Sequence, residues 1–250
     1  MKQMKNNTNT QENPAKPSPA VKVLAFNSSP RKENSTTDII LNHFIEGAKQ
    51  AGATTKKYYV ADLDINGCMG CFTCWTKTPG HCIHRDDMDW LIPEIQDADI
   101  IVMSTPIYNY YITHYQQRMS ERFLPMLLPW MEEKDEVTQH PIRQQRKIMK
   151  TVLVAVAGFP DDQAFNLVKQ KFQDSLQILL PSSQILQDPE GLKQMKYFTD
   201  AVADSAKQLI QSGSVDQETR NKLIVEFRPE MKNSIRERAN KYFETQLNNE

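Results

Sequence analysis

The sequence predicts an α/β domain built on a doubly wound parallel sheet. Three observations carry this: short, nearly unbroken apolar runs recur along the chain, each ends in a polar turn, and a helical pattern follows each turn. The first run holds Val21, Val23, Leu24, Ala25 and Phe26, the pattern of a strand covered on both faces, and the turn after it occupies residues 27–37. Ile39, Ile40, Phe44, Ile45 and Ala48 then repeat at helical spacing, with Ser35 or Thr36 able to cap the helix and Gly52 to close it. Residues 54–60 predict a second strand, and Asp86 or Asp87 can cap a helix running to about Gln96. The third unit pairs the apolar run 99–104 with a loop at 105–111 and a helix through Met119 and Phe123. Residues 132–150 are charged without a steady period and predict an exposed connection. A strand over 151–157, a turn at 158–161, a helix over about 162–178 and a weak last strand near 183–186 complete the series, and from Leu192 onward the pattern is helical. The expected organisation is a disordered leader at 1–20, a packed domain at 21–190 and a helical C-terminal extension at 191–250.

A chain of 250 residues, 39% hydrophobic and 24% charged, can close one good core with room for an appendage. The net charge is −1 and the basic residues are gathered on no single segment, which argues against a nucleic-acid partner. No apolar run reaches the ~18 residues that a membrane span needs, and the polar, Pro- and Asn-rich start lacks a signal-peptide core. A cytoplasmic protein is expected. All four cysteines fall between Cys68 and Cys82, whereas a disulfide-stapled secreted domain spreads its cysteines to close long loops. They form a local device.

Doubly wound sheets bind ligands beyond the carboxyl ends of their strands, so the loops at 27–37, 105–111 and 157–162 are the candidate site. The first contains no glycine, which excludes a GxGxxG fingerprint and a P-loop. It offers Ser28, Ser29, Arg31, Asn34, Ser35 and Thr36 just before a helix start, where free N–H groups and the helix dipole favour a phosphomonoester. The plainer alternative is that Ser35 and Thr36 only cap the helix and Arg31 is a solvated charge. The cysteines are spaced Cys-x2-Cys-x2-Cys-x7-Cys, compact enough to converge on one centre. An iron–sulfur cluster, zinc and reduced structural thiols all remain open for Cys68, Cys71, Cys74 and Cys82. His81 and His84 beside them are given no role, and Asp86 and Asp87 are read as caps rather than as an acid–base pair. Met119, Met126 and Met131, with Phe123, Leu127, Leu128 and Trp130, suggest core or a subunit contact.

The stretch Asn27-Ser28-Ser29-Pro30-Arg31 with Asn34-Ser35-Thr36 resembles the phosphate loop of the NADPH-dependent FMN reductase-like family. Asn27 stands where that family commonly has glycine. The segments from Asp64 through Cys71 to Met88, and from Ser104 to Tyr108, resemble in particular its iron–sulfur flavoprotein branch. The resemblance runs from about Val21 to Gly158 and implies a flavodoxin-like fold with a five-stranded parallel sheet in the order 2-1-3-4-5, helices on both faces and a helical C-terminal extension. It implies FMN as cofactor, with Ser28, Arg31, Asn34, Ser35 and Thr36 on its phosphate and Pro106, Ile107, Tyr108, Asn109 and Gly158 around its ring. It also implies a [4Fe–4S] cluster on the four cysteines. The expected activity is electron transfer from NAD(P)H through the flavin to a small-molecule or protein acceptor, in a homodimer or higher homo-oligomer, with no catalytic side chain because hydride transfer to a flavin needs no protein nucleophile. Two other readings stand beside it: an iron–sulfur flavoprotein that carries electrons without NAD(P)H turnover, and a cofactor-free binding module on the same scaffold.

Overall fold

The computed structural model describes residues 20–144 and 150–248. The predicted leader therefore lies, but for Ala20, outside the described residues, as does the 145–149 part of the charged connection. The first strand, β1 (Lys22–Asn27), leads to α1 (Thr36–Gln50) and β2 (Thr54–Tyr59). After a long loop come α2 (Met88–Asp97), β3 (Ile100–Pro106) and α3 (His114–Glu121). A short exposed hairpin, β4 (Glu132–Lys134) and β5 (Val137–Gln139), precedes β6 (Lys150–Val156), α4 (Asn166–Lys171) and β7 (Leu176–Leu180). The chain ends in α5 (Pro189–Gln194), α6 (Lys196–Gln211), α7 (Gln217–Lys222) and α8 (Pro229–Leu247). The five-stranded sheet runs β2-β1-β3-β6-β7, all parallel, which is the order 2-1-3-4-5 when its own strands are counted.

Side chains alternate cleanly across that sheet. Val23 and Ala25 of β1, Ile100 and Val102 of β3, and Val152, Val154 and Val156 of β6 join the core under α1 and α6. Leu24, Phe26 and Ile101 face the other way into a core with Leu91, Ile95 and Met119, and Leu153 and Ala155 pack with Phe165 and Val168. β1, β3 and β6 are thus buried on both faces, which is why their runs are apolar at successive positions rather than at every second one. The helix α6 packs along α1 so closely that a Cβ on Gly47 would lie 2.1 Å from the Ala203 carbonyl oxygen. The edge of β7 is covered by the segment after α7, where Leu179 N–H donates to Leu223 O (2.8 Å) and Val225 N–H donates to Leu179 O (3.1 Å).

Two expectations are corrected here. The helix expected over 162–178 stops at Lys171, and the last strand is Leu176–Leu180, not 183–186, which forms a 3-10 turn (Ser183–Gln187). A short apolar run fits helix and strand equally by periodicity, and Pro181 just beyond it marks the strand end. The exposed connection contains the β4–β5 hairpin. Met119 is buried core and Met126 and Phe123 pack against it, leaving only Trp130 (68% exposed) and Met131 (76%) from the proposed Met-rich contact surface strongly exposed.

The C-terminal extension is helical. Its α6 contributes Phe198, Val202, Ala206 and Leu209 to the sheet core, whereas α8 buries no residue and touches the loop after β6 through Arg236 to Asp161 (2.9 Å) and Lys232 to Asp162 (3.5 Å).

Candidate functional site

The site grows out of the carboxyl ends of β1, β3, β6 and β7. Beyond Asn27 the chain turns through a short 3-10 segment (Lys32–Asn34) into α1, where Ser35 occupies the cap with its Oγ accepting from Asp38 N–H (3.1 Å). The N–H groups of Thr36 and Thr37 open the helix and have no partner within its first turn. The Thr37 hydroxyl is fully buried and has no hydrogen-bond partner among the described residues. The neighbouring hydroxyl of Thr36 meets Ser183 Oγ at 2.9 Å, tying α1 to the loop after β7.

These groups line a cleft of about 250 Å³ with Ser29, Arg31, Ser35, Pro106, Ile107, Tyr108, Val156, Ala157, Gly158 and Gln184. A helix N-terminus, a guanidinium and an unpartnered buried hydroxyl at one end suit an anion such as a phosphomonoester. Prolyl, isoleucyl and tyrosyl side chains at the other suit a flat ring. Gly158 keeps the far wall open, since a Cβ there would meet the Gln184 amide nitrogen at 3.1 Å.

Of the predicted residues, Arg31, Ser35, Thr36, Pro106, Ile107, Tyr108 and Gly158 come together around this cleft. Ser28, Asn34 and Asn109 are not in its lining. Ser28 is buried behind it, its N–H donating to Ser104 O (2.8 Å), its Oγ to Gln116 Oε1 (2.7 Å) and its carbonyl accepting from Thr113 Oγ1 (2.9 Å). Ser28 therefore clamps the first loop to β3 and α3. Asn34 is exposed. Asn109 and Tyr110 adopt φ of 48° and 61°, and paired Tyr108–Tyr111 backbone hydrogen bonds (2.9 and 3.0 Å) close a tight turn around them. Ser29, which the first loop offered, lines the cleft as well, whereas sequence reasoning missed Thr37, Ser183 and Gln184. The last two follow the strand that was misplaced, so a correct β7 would have pointed to them.

The four cysteines occupy a second place. Cys68, Cys71, Cys74 and Cys82 line one small pocket with His84, Glu121, Arg122, Leu124 and Pro125. Burial and the neighbouring Cys82, Cys68 and Cys71 push the Cys74 thiol up, whereas hydrogen bonds from Thr73 hold the Cys71 thiol down. His84 Nε2 is buried and without a partner among the described residues. No three His, Cys, Asp or Glu side chains among the described residues already stand as a metal-binding group. Four cysteines around one pocket are nonetheless the donor type that a thiophilic centre uses.

The wall of that pocket is an ion pair whose acid, Asp86, also caps as expected, accepting from Met88 N–H at the start of α2 (3.1 Å). Arg122 donates to Asp86 at 2.6 and 3.0 Å and to Asn66 O at 2.7 Å, with the two charged side chains 1% and 0% exposed. Burial alone would raise the Asp86 carboxyl, yet the Arg122 guanidinium and the Asn66 backbone and side-chain amides outweigh it and hold the group well below the usual carboxylate range. Asp87 instead accepts from Asp64 N–H (2.7 Å) and Trp90 Nε1 (2.9 Å). Together they fasten both ends of the cysteine loop to α2 and α3. The eight residues of α3 span ~12 Å, with Thr113 at the cleft end and Arg122 at the cysteine end.

Residues 21–114 match the family described as NADPH-dependent FMN reductase. An iron–sulfur flavoprotein of Archaeoglobus fulgidus is 30% identical over 105 residues, 42% of this chain and 46% of that protein. One from Methanocaldococcus jannaschii is 28% identical over 106 residues, 42% of this chain and 53% of that protein. The chain thus spans about half the length of these curated relatives. Among solved structures, the NAD(P)H:quinone oxidoreductase from Methanothermobacter marburgensis superposes with a TM-score of 0.56 at 12% identity, over 76% of this chain and 98% of that one. The FMN-dependent NADH-azoreductase from Bacillus anthracis, solved in complex with FMN, gives 0.51 at 15% identity, over 76% and 100%. Both share the flavodoxin-like fold with this protein. Over residues 21–114 the chain is thus similar to the NADPH-dependent FMN reductase family, and over a similar length to iron–sulfur flavoproteins.

Proposed function

We propose that the protein is an FMN-dependent oxidoreductase that takes electrons from NAD(P)H and delivers them to a small-molecule or protein acceptor. The observation that carries this reading is the cleft at the strand ends, where Arg31, the α1 N-terminus and the partnerless Thr37 hydroxyl face Pro106, Ile107 and Tyr108. Bound FMN would supply the chemistry, accepting a hydride and releasing one or two electrons. The chain would supply placement. Arg31, Ser35, Thr36 and Thr37 hold the terminal phosphate, Pro106, Ile107 and Tyr108 flank the ring, and the open wall at Gly158 admits it. Ser28 and Asn109 shape the loops without touching the ligand, and Asn34 is given no contact. The exposed aromatic rim of Tyr108, Tyr110 and Phe159 beside the cleft suits a second copy of the chain, so a homo-oligomer is expected. Free cysteines fit a reducing, cytoplasmic setting.

The test is FMN titration of the purified protein followed by steady-state oxidation of NADH and NADPH with an artificial acceptor. Arg31→Ala is expected to weaken FMN by roughly 10- to 100-fold, the size of one lost charge-assisted hydrogen bond, and to leave riboflavin nearly untouched. A flavin-loaded protein that oxidises neither nucleotide would refute the oxidoreductase reading and favour the second one, an electron carrier joining FMN to a [4Fe–4S] cluster. That second reading has its own support in the four thiols around one pocket. Iron and sulfide analysis of anaerobically purified protein, wild type against Cys68→Ser, tests it.

A further inference from the structure

Behind the cleft, the first turn of α1 carries a buried negative charge. Asp38 is the third residue of the helix, its side chain is 5% exposed, and it sits in the same turn as Thr36 and Thr37. It has a structural task. Asn27 Nδ2 donates to Asp38 Oδ1 (2.9 Å), while Asn27 Oδ1 accepts from Ser29 N–H (2.9 Å), so the carboxylate fixes the side chain that shapes the first loop. Asn42 Nδ2 donates to its other oxygen (2.9 Å). A carboxylate suits a helix N-terminus, but in a turn that also receives a phosphate dianion it adds like-charge repulsion in a place shielded from water.

The compensating charge comes from a different element. Lys57, on the edge strand β2, places Nζ 2.9 and 3.1 Å from the two Asp38 oxygens and 2.9 Å from Asn42 Oδ1. It is absent from the cleft lining. We propose that Lys57, acting through Asp38, sets the affinity of the 29–37 loop for a phosphate monoester: it is a positioning residue that cancels the charge the loop needs for its shape, leaving the helix N-terminus and Arg31 to attract the ligand. The inference rests on the FMN reading above and deepens it. It also gives Asn27 a task, because its side chain is what reaches Asp38 from the end of β1.

Equilibrium titration with FMN and with riboflavin separates charge from shape, since only FMN carries the phosphate. In the full chain, Lys57→Met is expected to weaken FMN by about 10-fold or more, the scale of one uncompensated charge nearby, and riboflavin by no more than about 2-fold. Lys57→Gln, which can still donate to Asp38 without a charge, should lose FMN in the same way, and Lys57→Arg should restore it. In an Asp38→Asn background, Lys57→Met should no longer change the FMN to riboflavin ratio. Equal losses for both ligands, or an unchanged FMN affinity in Lys57→Met and Lys57→Gln, would overturn the inference while leaving the flavin reading intact. A wild-type protein that binds riboflavin and FMN equally would overturn it too, together with the phosphate cradle; one that binds neither removes the flavin reading and the inference with it. Thermal melts of the same samples identify a misfolded variant, for which the Gln substitution serves in place of Met.

Discussion

Thr37 and Asp86 mark the two ways a buried polar group is tolerated. The Thr37 hydroxyl is one of several buried side-chain polar atoms without a partner among the described residues, and the one that lines the cleft, at a cost of about 1–3 kcal/mol that a bound ligand would relieve. Thr37→Val should therefore leave the cofactor-free protein as stable as wild type or more so, while weakening FMN several-fold; parallel melts and titrations read both. Asp86 is the opposite case, a fully paired charge. Its folded-state pKa lies below its ordinary 3.8, so its contribution is complete above that value and is lost as the pH falls through the lowered folded value. Asp86→Asn should cost about 3–5 kcal/mol at pH 7 because it leaves Arg122 buried without its counter-charge. The gap between variant and wild type should narrow below about pH 4, which urea denaturation at several pH values measures. At this scale the sequence was legible where local chemistry decides. Ser35 caps as its position suggests, and Arg31 with Thr36 precedes a helix start. The Asp86–Arg122 pair was not legible, because its partners are 36 residues apart and a cap is the simpler reading of an acid before a helix. Thr37 and Ser183 were missed for the same reason: neither belongs to a motif until the fold brings it to the cleft.

Elements obeyed their apolar runs wherever the run had an unambiguous length. β1, β3 and β6 fall on the predicted segments because each is an unbroken apolar run of four or more residues that a polar turn follows, as a strand buried on both faces requires. β7 did not, since Leu176 to Leu180 follows a polar stretch that looks like the end of a helix, and only its partner β6 reveals the strand. The cap of α1 sets both the start of that helix and one wall of the cleft. Ser35 Oγ accepts from Asp38 N–H and donates to Lys32 O (2.5 Å). Ser35→Ala is expected to cost about 1 kcal/mol, a fall in Tm of roughly 2–4 °C for a domain of this size, with a loss of FMN affinity in step. Calorimetry with and without FMN checks the pair of effects.

Across the whole molecule, the two candidate sites share one support. The cleft lies at the Thr113 end of α3 and the cysteine pocket at its Arg122 end, so one short helix fixes their separation. The sheet order follows from the series of β–α units and right-handed crossovers and was readable in outline; the place of α6 was not, because a helix that covers a sheet and one that leaves it carry similar patterns. The meeting of α6 with α1 at Gly47 has a reach of its own. A single methyl group at that crossing would act as a wedge, tilting α1 about its middle and swinging the end that carries Thr36 and Thr37. Gly47→Ala should thus behave as a remote dimmer of phosphate recognition, and a blind screen for variants that still bind riboflavin but release FMN would return changes along this seam, far from any atom the ligand touches.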